Sequence, residues 1–373
     1  MVSYVAKHRR LKKNSIIVAA VVVTCIAAVL LRSCTKNKPR KIGSNVQFDD
    51  VIVRGFEAFS SNDLYNAELI FSSFFDKKGN DLNAFNKIKY DQQLLTRSLY
   101  GSILFRKKNL EKAEAILSPI FKDEHTINRF VSVGVPEDEV LLSYITILKI
   151  QKNIQKMLRI FNFFYHENGK ATEILRKFGD VSSLRAIAGE VFFKNNEYKR
   201  VIVLLEPFFK DSKLLSELTV KQQAISRCHY GHSLICEDKE DHAKKVFAPF
   251  FDENFKPTQL FEILSKEDQI ICRIQYAQIL LNENNSEKAL KLLEVFFNNN
   301  GDLLPPFKNS LFQDVIRSIY GQALGNQTRF LEANKVLNWF FNQKKLIKNL
   351  DQDEVNSLKS LNANINRMLA RNW

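Results

Sequence analysis

The sequence predicts an all-α protein in which pairs of helices follow one another about every 44 residues. An anchor position that is usually glycine recurs at separations of 46, 44, 44, 42, 46 and 44 residues. Apolar residues spaced three and four apart mark two amphipathic helices in each unit. A spacing this regular indicates an array of seven repeats. The anchors are Gly55, Gly101, Ile145, Gly189, Gly231, Ala277 and Gly321.

Two positions that recur after each anchor predict how the two helices of one pair cross. Small residues let two helices approach closely, and large ones fill the space beside them. The position twelve residues after the anchor is occupied by Ala67, Ala113, Met157, Val201, Ala243, Ala289 and Ala333. The position sixteen residues after it is occupied by Phe71, Leu117, Phe161, Leu205, Phe247, Leu293 and Leu337.

This order of small and large residues resembles the tetratricopeptide repeat (TPR) over residues 44–343. The resemblance implies a right-handed superhelical solenoid that binds other proteins. In that family the partner lies in a concave groove, against first-helix residues just beyond the anchor. The matching residues here are Phe56, Ser102, Thr146, Glu190, His232, Gln278 and Gln322. No cation occurs among them, which argues against the carboxylate-binding activity of chaperone-docking members.

The repeat departs from the TPR in three ways. Its period exceeds the family's roughly 34 residues, and the extra residues are expected to lengthen the helices or add a further turn. The second helix ends in two adjacent large residues, such as Phe74-Phe75 and Phe340-Phe341. Arginine stands four residues before the anchor, where the family has a bulky apolar residue: Arg97, Arg185, Arg227, Arg273 and Arg317.

These arginines, with Gln93, Gln223, Gln269 and Gln313 four residues earlier, form a Gln/Arg ladder. One interpretation has the ladder lining a groove for an acidic partner. The favoured interpretation is structural, because the arginines share a helix face with the anchors. Each arginine would then bind backbone carbonyls or carboxylates at the end of the second helix of the preceding repeat. The candidate carboxylates are those of Asp76, Glu167, Asp211, Asp252 and Asp302.

The chain begins with a basic leader (1–14), followed by a predicted transmembrane signal anchor (15–32) and a linker (33–43). Residues 15–31 carry no charge and basic residues bracket them, as in a single-pass anchor. Cleavage and lipidation at Cys34 is the alternative. Long domains cross membranes largely regardless of charge. The protein is therefore expected in the inner membrane with its repeats in the periplasm.

The formal charge of +14 does not indicate nucleic-acid binding. Residues 1–41 hold ten Lys and Arg and no acidic residue, which leaves 45 basic against 41 acidic residues in the rest of the chain. The repeat array is therefore nearly neutral and lacks the basic patch that nucleic acids require.

Both ends of the array carry sequence signals. Several first helices begin with a capping pattern, namely Ser265-x-x-Asp268, Thr219-x-x-Gln222 and Ser310-x-x-Gln313. Residues 344–373 are expected to form a capping helix, because Leu358, Leu361, Ile365 and Leu369 recur at helical spacing. Such a helix would cover the apolar face of the last repeat.

The sequence gives no reason to expect catalysis, a cofactor or a metal. It contains no phosphate-binding glycine loop and no nucleophile or zinc-protease motif. Cys228 and Cys236 on one helix stand about 12 Å apart, too far for one zinc ion or a disulfide. One Cys-His pair from the group Cys228, His229, His232, Cys236 and His242 could still converge with Cys272 of the next repeat on a metal ion. Ordinary half-buried cysteines on a repeat helix are the favoured interpretation.

The sequence therefore predicts a membrane-anchored, non-catalytic scaffold that holds other proteins of an envelope assembly. Its Lys/Asn/Ile/Phe-rich composition, single anchor and repeat array are similar to the TPR-containing collar proteins of the spirochaete periplasmic flagellar motor. A periplasmic chaperone or assembly factor is one alternative. An organelle import receptor with cytosolic repeats is another.

Overall fold

The computed structural model describes residues 46–133, 137–178, 182–308, 312–342 and 352–371. The predicted leader, membrane anchor and linker lie outside these residues, as do Cys34 and Trp373. No helix within the described residues has the length and apolar character needed to cross a bilayer. The described chain is all-helical apart from turns and isolated β-bridges.

The chain divides into two compact units, and the first contains residues up to Tyr165 together with Ala171–Val181. Repeats are numbered here by their anchors. In this unit the first and second helices are Val46–Ser60 with Leu64–Ser72, Tyr90–Arg106 with Leu110–Leu117, and Glu137–Ile150 with Ile154–Phe164. Short helices lie between the pairs: Phe85–Lys87, Ser118–Phe121, Glu124–Val131 and Glu173–Phe178.

The second compact unit contains His166–Lys170 and the residues from Ser182 onward. Its pairs are Ser182–Lys194 with Tyr198–Lys210, Val220–Cys236 with Glu240–Phe247, Lys266–Asn282 with Ser286–Leu293, and Gln313–Asn326 with Phe330–Asn342. The short helices are Ser212–Glu217, Ala248–Phe250, Gln259–Glu262 and Glu294–Phe296. The last helix is Gln352–Arg371.

The two helices of a pair cross closely at the glycine anchor. A β-carbon added to any of these glycines would lie less than 3.0 Å from a side-chain atom of the residue sixteen positions later. The pairs are Gly55 with Phe71, Gly101 with Leu117, Gly189 with Leu205, Gly231 with Phe247, and Gly321 with Leu337. The predicted pairing of a small residue with a large one is therefore confirmed at these positions.

A left-handed residue seven positions after each anchor ends the first helix. Its φ angle lies between 56° and 63° at Asn62, Lys108, Lys152, Asn196, Asp238, Asn284 and Thr328. The next backbone N–H donates to the carbonyl five residues earlier, as in Asp63 to Ala58 (2.8 Å) and Asn109 to Leu104 (2.9 Å). This Schellman-type cap satisfies a carbonyl that the helix leaves unpaired.

The residues that lengthen the repeat beyond the TPR period form a turn and a short helix. In repeats 1, 3, 5 and 6 an isolated antiparallel bridge closes the turn: Phe75 with Asp81, Tyr165 with Ala171, Phe251 with Pro257, and Phe297 with Leu303. A further turn therefore accounts for part of the extra length. The short helices, which the sequence analysis did not predict, account for more of it.

Stacked rings join consecutive repeats within each unit. The second residue of the doubled ring pair packs on the tyrosine before the next anchor. Centroid separations range from 4.1 to 5.7 Å in Phe75–Tyr100, Phe121–Tyr144, Phe209–Tyr230, Phe251–Tyr276 and Phe297–Tyr320. Such pairs contribute about 0.5–1.5 kcal/mol each beyond area burial.

The Gln/Arg ladder has a structural role wherever its contacts are described. Arg97, Arg227 and Arg273 each donate Nη1 to a carbonyl of the second helix of their own repeat, at 3.0–3.3 Å. Their guanidinium groups lie over rings from the preceding repeat, for example Arg273 over Phe261 at 4.8 Å. Each arginine therefore connects two repeats.

For Arg97, Arg227 and Arg273 the expected acceptors were wrong in detail, because the carbonyls belong to the same repeat and not to the preceding one. At Arg317, burial lowers the pKa and the expected candidate Asp302 opposes that shift. Asp76 and Asp252 instead accept backbone amides within their own turns. Asp81 supplies the carboxylate for Arg97. The ladder glutamines Gln93, Gln223 and Gln269 donate Nε2 to carbonyls just before their first helices.

Helix ends agree with the capping patterns that fall within the described residues. Thr219 accepts the Gln222 amide and Gln222 accepts the Thr219 amide, which forms a capping box. The Ser265 hydroxyl accepts the Asp268 amide at 3.1 Å. The helix Gln352–Arg371 packs on both helices of repeat 7, and Leu358 and Ile365 are each only 1% exposed.

Candidate protein-interaction surface

The residues that follow the anchors occupy one repeated position on the first helices. Ser102 is 4% exposed and so presents almost no side-chain surface. The other members are partly exposed: Phe56, Thr146, Glu190, His232, Gln278 and Gln322. No structural observation tests whether these residues bind a partner, so that assignment stays a prediction.

Most of these side chains contact a residue four positions away on the same helix. Thr146 Oγ1 donates to the Leu142 carbonyl at 2.7 Å, and Gln278 Nε2 donates to Asn282 Oδ1 at 2.8 Å. Gln322 Nε2 donates to Ser318 Oγ at 3.1 Å. Glu190 pairs with Lys194 at 2.9 Å. These contacts hold the polar groups in defined positions, and the one acidic member is balanced by a cation.

A ring cluster surrounds His232, the one titratable imidazole of this row. Phe193 from repeat 4 stacks on His229 with centroids 4.0 Å apart, and it meets His232 edge-on at 5.0 Å. The Tyr198 ring lies 5.4 Å from His232. Gln275 from repeat 6 contacts Nδ1 of His232 through its side-chain amide. Three consecutive repeats of the second unit therefore contribute to one cluster.

The sequence analysis identified His232 but missed its neighbours. Phe193 stands four residues after its anchor, where Phe59 and Phe105 stand in other repeats. This position lies three residues beyond the one that His232 occupies in its repeat, and positions three apart on a helix share a face. The recurring aromatic residues at this position were therefore the sequence signal that could have predicted a ring beside the first-helix row. Gln275 could not be recognised, because its role depends on how repeats 5 and 6 pack.

Burial sets the protonation of this cluster. It lowers the pKa of His232 to about 4; the hydrogen bond with Gln275 opposes this shift and the neighbouring His229 adds to it. Burial alone would raise the pKa of Asp268, but hydrogen bonds from His229 and Ser265 bring it below the ordinary value. His232 is therefore neutral at pH 7 and offers a partner an uncharged imidazole.

We expect the stability of the protein to fall as the pH drops from about 6.5 to about 4. The unfolded chain takes up a proton on His232 in this range and the folded chain does not, which favours unfolding. The expected loss between pH 7.5 and pH 5 is about 1–2 kcal/mol, measured by urea denaturation. The loss of stability between these two pH values should be smaller in His232→Gln. It should be the same as in the parent in a variant of the exposed His125. Equal pH dependence in His232→Gln and the parent would contradict the assignment.

Two cysteines of the second unit, Cys228 and Cys272, are buried thiols that contact each other between repeats, whereas Cys236 is exposed. Cys228 and Cys272 are both fully buried, and burial together with the contact to Cys228 raises the pKa of the Cys272 thiol. Across the described residues, no group of three or more His, Cys, Asp or Glu side chains is arranged to hold a metal ion. Of the suggested constellation, the structure shows only the packing contact of Cys228 with Cys272.

Comparison with known proteins gives only distant similarities. No protein-family model matches the chain, and no curated protein matches it. A tetratricopeptide repeat protein from Parabacteroides merdae is similar at 11% identity and a TM-score of 0.32, covering 85% of this chain and 98% of that one. The TPR domain of P58(IPK) is similar at 14% identity and a TM-score of 0.26, and the match covers 87% of this chain and 98% of that one. These TM-scores are too low to show a shared fold.

Proposed function

We propose that the chain is a membrane-anchored, non-catalytic scaffold that binds other proteins through the first helices of its repeats. The supporting observation is the repetition within each compact unit. Apart from the buried Ser102 of repeat 2, the first helices place the same position, one residue beyond the buried anchor, at the surface with a partly exposed side chain. Repeated positions of this kind suit many small contacts along an extended partner.

The proposed location follows from the sequence before the first helix. With an anchor at 15–32, the linker 33–43 would hold the repeats within about 40 Å of the bilayer. We place the anchor in the inner membrane and the repeats in the periplasm. The assembly that best fits this layout is a periplasmic flagellar motor collar, in which the chain is a structural component.

Photo-crosslinking in intact cells tests the binding surface. A photoreactive residue at Gln278 or at Gln322 is expected to capture the same one or two proteins. The control position is Lys245, which is exposed on a second helix and should capture neither. Gentle detergent extraction and sizing should then find the chain in a stable complex of megadalton size.

Two results would contradict the scaffold. Equal capture from Lys245 would show that the first helices are not the binding surface. Migration as a free monomer, with many unrelated clients crosslinked briefly, would favour the chaperone or assembly-factor alternative. Repeats accessible only from the cytosol would favour the import-receptor alternative.

A further inference from the structure

One position of the turns closed by β-bridges sets the turn of repeat 5 apart from the other three. Their fourth residue has a left-handed backbone, and it is glycine in three turns: Gly79 (φ 91°), Gly169 (78°) and Gly301 (77°). In repeat 5 the residue is Phe255, with φ 63°. A bulky side chain in this conformation is an outlier. Strain of this kind is retained where the surroundings enforce it, and it clusters at functional sites.

Two of these turns pack tightly on the second helix of the next repeat. A β-carbon on Gly79 would lie 3.1 Å from Ala115 Cβ, and one on Gly169 would lie 2.9 Å from Val203 Cβ. Ala115 and Val203 stand fourteen residues after their anchors, and the equivalent residues in repeats 6 and 7 are Lys291 and Lys335. The turns before these lysines leave open recesses.

The recess between repeats 5 and 6 has a volume of about 510 Å³. Its apolar wall includes Val295, which is 46% exposed, and the partly exposed ring of Phe255. The Phe255 ring is held 6.3 Å from the ring of Tyr276. The strained backbone therefore places an aromatic surface where the other turns have no side chain.

Cations surround this apolar wall. Lys256, Arg273 and Lys291 line the recess with a single acid, Glu294. Lys291 pairs with Glu287 at 2.9 Å, and Lys288 Nζ lies 5.9 Å from the Phe255 centroid. No salt bridge joins Lys256 to an acid within the described chain. The recess between repeats 6 and 7 is smaller, at about 380 Å³, and is lined by two acids and two cations. Arg329 and Glu332 pair there at 2.6 Å.

We propose that the recess between repeats 5 and 6 binds an acidic peptide segment of a partner protein, with an apolar side chain against Phe255 and Val295. Carboxylates flanking that side chain would meet Lys256 and Lys288. Charge complementarity selects the acidic segment, and the exposed ring and valine select an apolar residue within it. This surface lies at the turns and second helices, so it is separate from the first-helix row of the proposed scaffold.

Calorimetric titration of the full chain in detergent tests the proposal, with a short peptide in which aspartates flank one phenylalanine. We expect saturable binding that weakens about tenfold in Phe255→Gly. Glycine suits the left-handed backbone, so this variant should melt no lower than the parent. Charge reversal at Lys256 and Lys288 together should also weaken binding about tenfold. Lys335→Glu, in the neighbouring recess, is the control and should leave the affinity unchanged.

Three outcomes would overturn the proposal. One is the absence of saturable binding. Another is an unchanged affinity in Phe255→Gly, which would show that the ring makes no contact. The third is equal binding of a peptide with alanine in place of phenylalanine, or of a single-stranded oligonucleotide, which would reduce the interaction to unspecific charge attraction.

Discussion

Replacing Arg97 with alanine is expected to destabilise the first compact unit by about 2–4 kcal/mol. Arg97 Nη2 binds both carboxylate oxygens of Asp81 at 2.5 and 2.6 Å, and Nη1 donates to the Ile116 carbonyl at 3.3 Å. Its guanidinium also lies 4.7 Å from the centroid of Phe85. The arginine side chain is 9% exposed, so alanine would leave a cavity and remove contacts to two repeats.

Arg129 provides a matched control for this substitution in the same unit. It also binds both oxygens of one carboxylate, that of Asp91, at 2.6 and 2.5 Å. These side chains are 52% and 44% exposed, so water screens the pair and Arg129→Ala should cost less than about 1 kcal/mol. Urea denaturation followed by circular dichroism measures both variants. Equal losses would show that burial does not strengthen the Arg97 contacts.

Gly101→Val is expected to cost about 2–3 kcal/mol. The added β-carbon would overlap Leu117, and both residues are buried. The helix crossing cannot widen without disturbing the stacked rings on either side. Shortening the opposing side chain should relieve part of the strain. The double variant with Leu117→Ala should therefore be more stable than the sum of the two single changes, by about 1 kcal/mol.

Gly325 in repeat 7 is the control for replacing a helical glycine. A β-carbon there would meet Leu361 and Ile365 at 3.4–3.8 Å, which is ordinary van der Waals contact. Gly325→Val should therefore change stability by less than about 1 kcal/mol. If Gly101→Val were as mild as Gly325→Val, the close crossing at the anchors would not be a determinant of the fold.

The close crossings could be predicted because each one depends on two residues at a fixed sequence distance. Gly101 and Leu117 lie in one repeat, so the sequence pattern contains the whole interaction. The left-handed position that ends each first helix could not be predicted in this way. It is occupied by residues as different as Asn62, Lys108 and Thr328, so the backbone cap is conserved from repeat to repeat while the residue type is not.

Features that depend on two repeats were harder to predict. The ladder arginines were recognised as structural, but Arg97 was not assigned to Asp81 because that pairing depends on where the turn places the carboxylate. The ring cluster was missed for the same reason, since Phe193 and Gln275 come from either side of the repeat that carries His232. The recurring turn could not be predicted either, because its sequence signature is a glycine at the fourth residue and repeat 5 has Phe255 there.

The position of Trp339 determines what intrinsic emission can report about this molecule. Its ring lies under the Arg317 guanidinium in repeat 7, at 4.5 Å, and the other tryptophan, Trp373, follows it near the end of the sequence. In linear arrays each repeat contacts mainly its neighbours, so melting need not be uniform. The emission of Trp339 therefore reports on repeat 7. Tyrosine absorbance at the stacked ring pairs is the optical signal that reports on the earlier repeats.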